Sequence, residues 1–332
     1  MHDYRILGSL EVLDGDRVVA IGGARCRAVL AVLVISANRP VSVGRLIDEV
    51  WGDPSPPTAG NVVQGHVSDL RRALGRDAIE TRGDAYVLHI ARGSRDVDRF
   101  EERATAGAGA LADGRPQDAS AAFAEALALW RGPALGEIAE GGLLVAEALR
   151  LDEMRLHALE RRIEADLACG RDAELVGELR SLVAENPLRE PLRAHLALAL
   201  YRSGRHVEAL DVLREARRRW PKDVDVLNDL GVTQAAGGGL DEAIKVFGDA
   251  IALAPKETIS YFNLAKALEM RYFQKRRRLD MLGWATGAAE ERDRQSAMSA
   301  YQQYIDIGGS YGDLAREGIA RLRSSGPLRR RR

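Results

Sequence analysis

Along the stretch "NVVQGHVSDLRRALG", residues 61–75, the side chains divide into two kinds. At about 100° per residue, Val63, Val67, Leu70 and Leu74 fall in one narrow arc, the stripe of a helix that packs on a core. The opposite arc carries Asn61, Gly65, Ser68 and Arg72, with Gln64 and Asp69 beside it. Amides and hydroxyls donate and accept, an aspartate accepts, an arginine offers a fork of donors, and a glycine lets another surface come close. Such a set suits a surface of donors and acceptors like the edges of base pairs. Catalysis has no comparable cluster. There is no H-E-x-x-H, no C-x-x-C and no G-x-x-x-x-G-K-[ST], and the six histidines are scattered. Gly107 and Gly109 in "AGAGAL" make no phosphate loop, because no strand precedes them. No enzyme activity, cofactor or metal is therefore expected.

The elements that must position this helix follow from the flanking sequence. "YRILGSLEVLDGDRVVAIGG" holds short apolar runs broken by Asp14-Gly15-Asp16, which predicts a small antiparallel sheet. "ARCRAVLAVLVISANRP" is apolar over a helical length and stops at Asn38-Arg39-Pro40, which predicts a buried helix. In "SVGRLIDEVWG", Ser42 is the expected cap of a short helix with Val43, Leu46, Ile47, Val50 and Trp51 at helical spacing. After the Pro-rich "DPSPP", Thr58 is the expected cap of the helix at 61–75, and Gly75 ends it. "IETRGDAYVLHI" is a hairpin around Arg82-Gly83-Asp84. Sheet, three helices, hairpin is the order of a winged helix-turn-helix, in which the helix before the hairpin enters the DNA major groove. Charge argues the other way: residues 1–95 hold 12 arginines against 11 carboxylates, a net of +1. With Asp69 on the outer face, that balance supports an alternative, an interaction adaptor or repressor whose winged helix serves mainly protein contact.

From residue 156 onward the chain carries a ruler. Gly170, Gly204 and Gly238 are spaced by 34, as are Pro187, Pro221 and Pro255. Ala209, Leu213 and Ala216 recur as Ala243, Phe247 and Ala250. That is the tetratricopeptide period, two antiparallel helices per unit with glycine at the turn. An earlier unit is visible at Gly114, Ala119, Phe123 and Ala126. A later one begins at Tyr261 and Leu264 and resumes at Ala297 and Tyr301, interrupted by an insertion around 270–295. Gly204 is expected to have little room for a Cβ at its turn, and Leu196, Leu200 and Leu213 to form core. Stacked units expose a face that usually binds a peptide or protein partner. The insertion carries Lys275-Arg276-Arg277-Arg278 and the tail ends "PLRRRR", runs able to touch phosphate nonspecifically. Trp284 either anchors the insertion or helps to bind a partner.

At 332 residues, with 46% hydrophobic and 29% charged residues, the chain is long and apolar enough for two or three cores. Cys26 and Cys169 have no near neighbour cysteine, so neither a disulfide framework nor a zinc motif is expected. The first residues lack a secretory pattern, and the longest apolar stretch, at 28–37, is half of the ~20 residues a membrane helix needs. A cytoplasmic location with no membrane contact is expected.

The run from "LGSLEV" through "GGARCRAVLAVLV", "SVGRLIDEVWGD", "TAGNVVQGHVSDLRRALG" and "GDAYVLHI" resembles the OmpR-type winged helix that opens SARP-family transcriptional activators, the antibiotic regulatory proteins of actinobacteria. Directly after it, "DVDRFEERATAGAGAL", "ALALWRGPAL" and "ELVGELRSLVAENPLREPLRAHLALALYRSGRHVEALDVLREAR" resemble the family's bacterial transcriptional activation domain. The resemblance covers residues 4–220. It implies a mainly α protein with a winged helix at 1–95 and an activation domain at 96–221; the 34-residue period adds further tetratricopeptide repeats at 222–322, and the arginine run a basic tail at 323–332. It also implies an activator that binds double-stranded promoter DNA at tandem direct repeats, contacts RNA polymerase, pairs with a second copy of itself there, and regulates secondary-metabolite genes. The DNA-contact positions fall on Asn61, Gln64, Gly65, Ser68, Asp69 and Arg72, with Arg71 toward the backbone and Arg82 in the wing. Relatives often carry a basic residue where this chain has Asp69, which would accept from cytosine instead.

Overall fold

The computed structural model describes residues 2–52, 54–138 and 142–325. Its contacts divide into two units, Met1–Gly170 and Arg171–Arg332. The fold is mainly α: a winged helix-turn-helix with small sheets, followed by an array of helix pairs. The expected basic tail beyond Ser325 lies outside the described residues.

In the first unit, β1 (His2–Arg5), β2 (Glu11–Asp14) and β3 (Arg17–Val18) form an antiparallel sheet in that order, with Tyr4 opposite Val12. Gly15, at φ +59°, makes the tight turn between β2 and β3. The expected buried helix is α1 (Ala24–Ile35), whose residues from Val29 to Val34 are wholly enclosed. Asn38 stops the chain there in the left-handed region, φ +63°, and its amide bonds the Ile90 carbonyl at 2.9 Å and the Ile90 N–H at 3.1 Å. β4 (Val41–Ser42) leads into α2 (Val43–Trp51), and the Ser42 hydroxyl accepts the Arg45 N–H at 3.2 Å as expected of a cap. The helix α3 (Ala59–Leu74) is followed by β5 (Ile79–Arg82) and β6 (Ala85–Leu88), which pair as a hairpin with β4 added beside β6. Thr58 occupies the cap position of α3 but makes no side-chain cap bond. Its ψ of 0° is not the extended backbone that aims a capping oxygen at the first turn.

The same unit continues through α4 (Asp96–Ala112), α5 (Pro116–Leu127) and α6 (Gly142–Ala168). One buried cluster runs from Tyr4 and Val12 through Leu30, Val67 and Leu88 to Phe100, Phe123 and Ala165. Asp96, 1% exposed, ties the two halves: its carboxylate accepts from the Ile6 N–H at 2.9 Å and the Leu7 N–H at 2.9 Å. The Leu135 N–H returns a bond to the Ile6 carbonyl at 2.9 Å, and the Arg131 N–H one to Leu7 at 2.8 Å. These bonds satisfy the backbone that follows β1, which no sheet partner covers.

The second unit holds α7 (Asp172–Glu185), α8 (Glu190–Arg202), α9 (His206–Arg219), α10 (Val224–Ala236) and α11 (Leu240–Leu253). It ends with α12 (Thr258–Met281), α13 (Ala288–Asp306) and α14 (Gly312–Ser324). The 34-residue ruler is the helix-pair period: Gly204 and Gly238 turn at φ +76° and +87°. The space around a Gly204 Cβ is open, so the residue is required by backbone conformation and not, as expected, by lack of room. A close approach does occur at Gly231, where a Cβ would stand 2.4 Å from the Phe247 ring. Leu196, Leu200 and Leu213 are buried as expected. The insertion around 270–295 forms no separate excursion. It lengthens α12 to 24 residues against 13 in α8 and α10, and Arg271 holds the extension by pairing with Asp293 at 2.6 Å. Lys275 also reaches Asp293, and Arg276 donates to the Tyr272 hydroxyl at 3.0 Å, so half of the basic run is spent internally. Trp284 is exposed.

Candidate nucleic-acid interface

The periodicity of α3 gives it two faces. Val63, Val67, Leu70 and Leu74 are all 5% exposed or less and seat it against the core. Asn61, Gln64, Gly65, Ser68, Asp69 and Arg72 are exposed on the outer side, so the six helix positions singled out by residue type share one accessible surface. From Asn61 to Arg72 that surface is about 17 Å long at the helical rise, enough to span several base pairs in a major groove about 12 Å wide. No side chain larger than the Val62 isopropyl interrupts the small polar residues at its first turn. Near its end, Arg72 Nη1 donates to Asp69 Oδ1 at 3.0 Å, which offsets the one negative charge on this face.

Arg71 is occupied differently. Its Nε and Nη2 donate to the Ile79 carbonyl at 3.0 and 2.8 Å, Nη2 also donates to Thr81 Oγ1 at 2.7 Å, and the guanidinium lies 5.8 Å from the Tyr86 ring centre. It therefore fastens α3 to the hairpin and sets where the wing stands. Arg82 at the hairpin turn is exposed and pairs with Glu80 at 3.1 Å, and Glu80 also meets His89 Nε2 at 3.0 Å. The hydrogen bond from Arg82, then that from His89, holds the Glu80 carboxyl below its ordinary range. His66 is half-buried, with Nε2 lacking a hydrogen-bond partner among the described residues.

Two residues belong beside this surface that residue patterning passed over. Thr81 is the wing's hold on Arg71, a pairing between side chains in different elements that periodicity cannot display. Arg45 is exposed in the first turn of α2, the helix that crosses the backbone in this class of fold. Its position on the arc opposite Val43, Ile47 and Val50 was the available signal. Elsewhere, Gly308, Ser310 and Gly312 have the G-x-S-x-G spacing of a hydrolase nucleophile turn. They follow helix α13 and not a strand, and no histidine occurs after His206, so the pattern lacks its required setting. Among the described residues no helix is long and apolar enough to cross a membrane.

Comparison with known proteins bears on both halves. Residues 22–88 match the family described as transcriptional regulatory protein, C terminal, and residues 95–234 match the bacterial transcriptional activator domain. Regulatory protein DnrI of Streptomyces peucetius is 37% identical over 242 residues, which cover 70% of this chain and 87% of that protein. Transcriptional regulatory protein EmbR of Mycobacterium tuberculosis is 36% identical over 230 residues, 68% of this chain but 59% of that protein, so the chain spans about three fifths of this relative. The solved structure of Mycobacterium tuberculosis EmbR in complex with a low-affinity phosphopeptide superposes with a TM-score of 0.64 at 32% identity, covering 78% of this chain and 70% of that one.

Proposed function

This chain belongs to the SARP family of transcriptional regulators, with an OmpR-type winged helix and a bacterial transcriptional activator domain, and from that premise we propose that it is a sequence-specific activator. The outer face of α3 reads base edges in the major groove through Asn61, Gln64, Ser68, Asp69 and Arg72, and Gly65 lets the helix backbone approach. Arg82 in the wing reaches phosphate, and Arg71 acts by holding the wing in register with α3. Two copies sit on tandem direct repeats in promoter DNA and contact RNA polymerase through their helical domains, at genes of secondary metabolism. The array beyond residue 221 offers a surface for a protein partner. The observation that carries this reading is the exposed run of small hydrogen-bonding side chains on α3, directly beside the hairpin.

The test is titration of the full chain with its own promoter DNA and with random DNA over a range of salt. A specific reader holds a preference of about 10³-fold or more at physiological salt. Equal affinity for both at every salt concentration would favour the adaptor alternative, to which the exposed Asp69 carboxylate lends support.

A further inference from the structure

Within Arg171–Arg332, a cavity of about 1030 Å³ opens along the helices that begin successive pairs, lined by Tyr201 of α8, Val232 and Ala236 of α10, and Met270 and Phe273 of α12. Met270, an apolar side chain, is 48% exposed there. One wall is fixed: Glu269 accepts from the Tyr301 hydroxyl at 2.6 Å and from Arg321 Nε at 3.0 Å.

The same helix faces continue at three- and four-residue steps toward the other end of the groove, and their character changes. On α10, Ala236 and Val232 give way to Asp229 and Asp225. A smaller cavity lined by Tyr201, Val232 and Asp229 joins the two stretches. Asp223, which caps α10, and Glu190, at the start of α8, stand at the same end. These carboxylates crowd one another. Glu190 is pushed up to about 7 by desolvation, then by its contact with Asp223, and Asp229 up to about 6 by desolvation, then by Asp225 and Asp223. Among the described residues no lysine or arginine pairs with Asp223, Asp225 or Asp229. An apolar trough that runs into four mutually repelling carboxylates is complementary to one kind of occupant. Cations relieve the repulsion, and an apolar side chain covers Met270 and Phe273. At the carboxylate end, phosphate-bearing or acidic partners meet the wrong sign; the two cations that line the apolar cavity, Lys266 and Arg321, are paired with Glu269 at 3.8 and 3.0 Å.

We propose that this groove docks a segment of a partner protein that carries two or more lysines or arginines next to an apolar anchor residue. The proposal rests on the reading of the array as a partner-binding surface and names the chemistry of that partner.

Fluorescence anisotropy on the full chain tests it, with a labelled Arg-Lys-Arg-Gly-Leu-Phe-Gly peptide as probe and Glu-Asp-Glu-Gly-Leu-Phe-Gly as its counterpart. The basic probe is expected to bind about ten-fold or more tighter, and the combined Asp225→Asn and Asp229→Asn variant to lose about ten-fold. Neither side chain has a cationic partner among the described residues and asparagine matches aspartate in size, so the variant keeps its fold, checked by circular dichroism. Met270→Ser should weaken the same probe without changing its salt dependence. Equal binding of the two probes, or an unchanged affinity in the double variant, would overturn the proposal. So would a chain ended at Ser325 that binds the probe about ten-fold tighter, because the groove would then belong to the chain's own arginine-rich tail. If the probe fails while the array remains necessary for activation with purified polymerase, this groove is wrong and the wider reading stands.

Discussion

Arg71 and Arg72 are adjacent in sequence and serve different ends. Arg72 points outward and pairs with exposed Asp69, whereas Arg71 turns back to the Ile79 carbonyl and the Thr81 hydroxyl. Substitutions should sort accordingly. Ser68→Ala and Gln64→Ala are expected to change which DNA sequences bind, and Arg82→Ala to weaken all sequences alike and lower the salt slope by roughly one. Arg71→Ala should also weaken all sequences, but with a loss of stability of about 1–2 kcal/mol, because two wing acceptors lose their donor. Denaturant titration beside DNA titration separates these cases; an Arg71→Ala chain of undiminished stability would remove its clamping role. The surface positions were legible from the helical period, since small polar residues opposite a Val/Leu stripe must face out. The clamp was not, because its main acceptor is a backbone oxygen in another element and carries no residue signature.

Among the elements, the repeat was the most legible feature, for glycine and proline at a fixed spacing mark turns directly. What the spacing did not reveal was why each glycine is there. At Gly204 the cause is a φ of +76° in open space, so Gly204→Ala should cost about 1–2 kcal/mol, the strain of a left-handed residue. Leu200→Ala, from an enclosed site, should cost about 2–5 kcal/mol. Thermal midpoints of the two variants check the order, and a larger loss at Gly204 would mean that the packing is misjudged. The insertion around 270–295 takes the form of a lengthened α12, and the pairing of Arg271 with Asp293 that stabilises it joins residues 22 apart, beyond the reach of a helical period. The acidic end of the array has its own pH signature. Glu190 titrates higher when folded, at about 7, than the ~4.3 of an unfolded chain, so its contribution is fully present below the lower value and lost as pH rises through the upper. Asp229 shifts in the same direction. With solvent screening the effect is about 1 kcal/mol, so the midpoint should fall by about 2–4 °C between pH 5 and 8. Glu190→Gln should flatten that slope, and an equal slope in the variant would assign it elsewhere.

For the whole molecule, sequence similarity divides the chain near residue 95, while contacts divide it at Gly170. A fragment of residues 1–95 would lose Asp96 and the partners that Leu135 and Arg131 supply to the chain after β1, and would bare Val12, Leu30 and their neighbours. It is expected to lack a cooperative melt, whereas residues 1–170 should unfold as one. Matching transitions in the two fragments would show that the shared cluster is dispensable. No periodicity displays this, because the cluster is built from unrelated elements far apart in sequence. It follows that α3 has no tether of its own. Two copies that touch each other while seated on neighbouring repeats must then agree in rotational phase as well as in distance. An insertion of ~5 base pairs between the repeats turns one site to the opposite side of the duplex, and ~10 base pairs bring it back. Joint occupancy should vanish with the first insertion and partly return with the second, read by footprinting; equal tolerance of both would mean that the copies bind without touching.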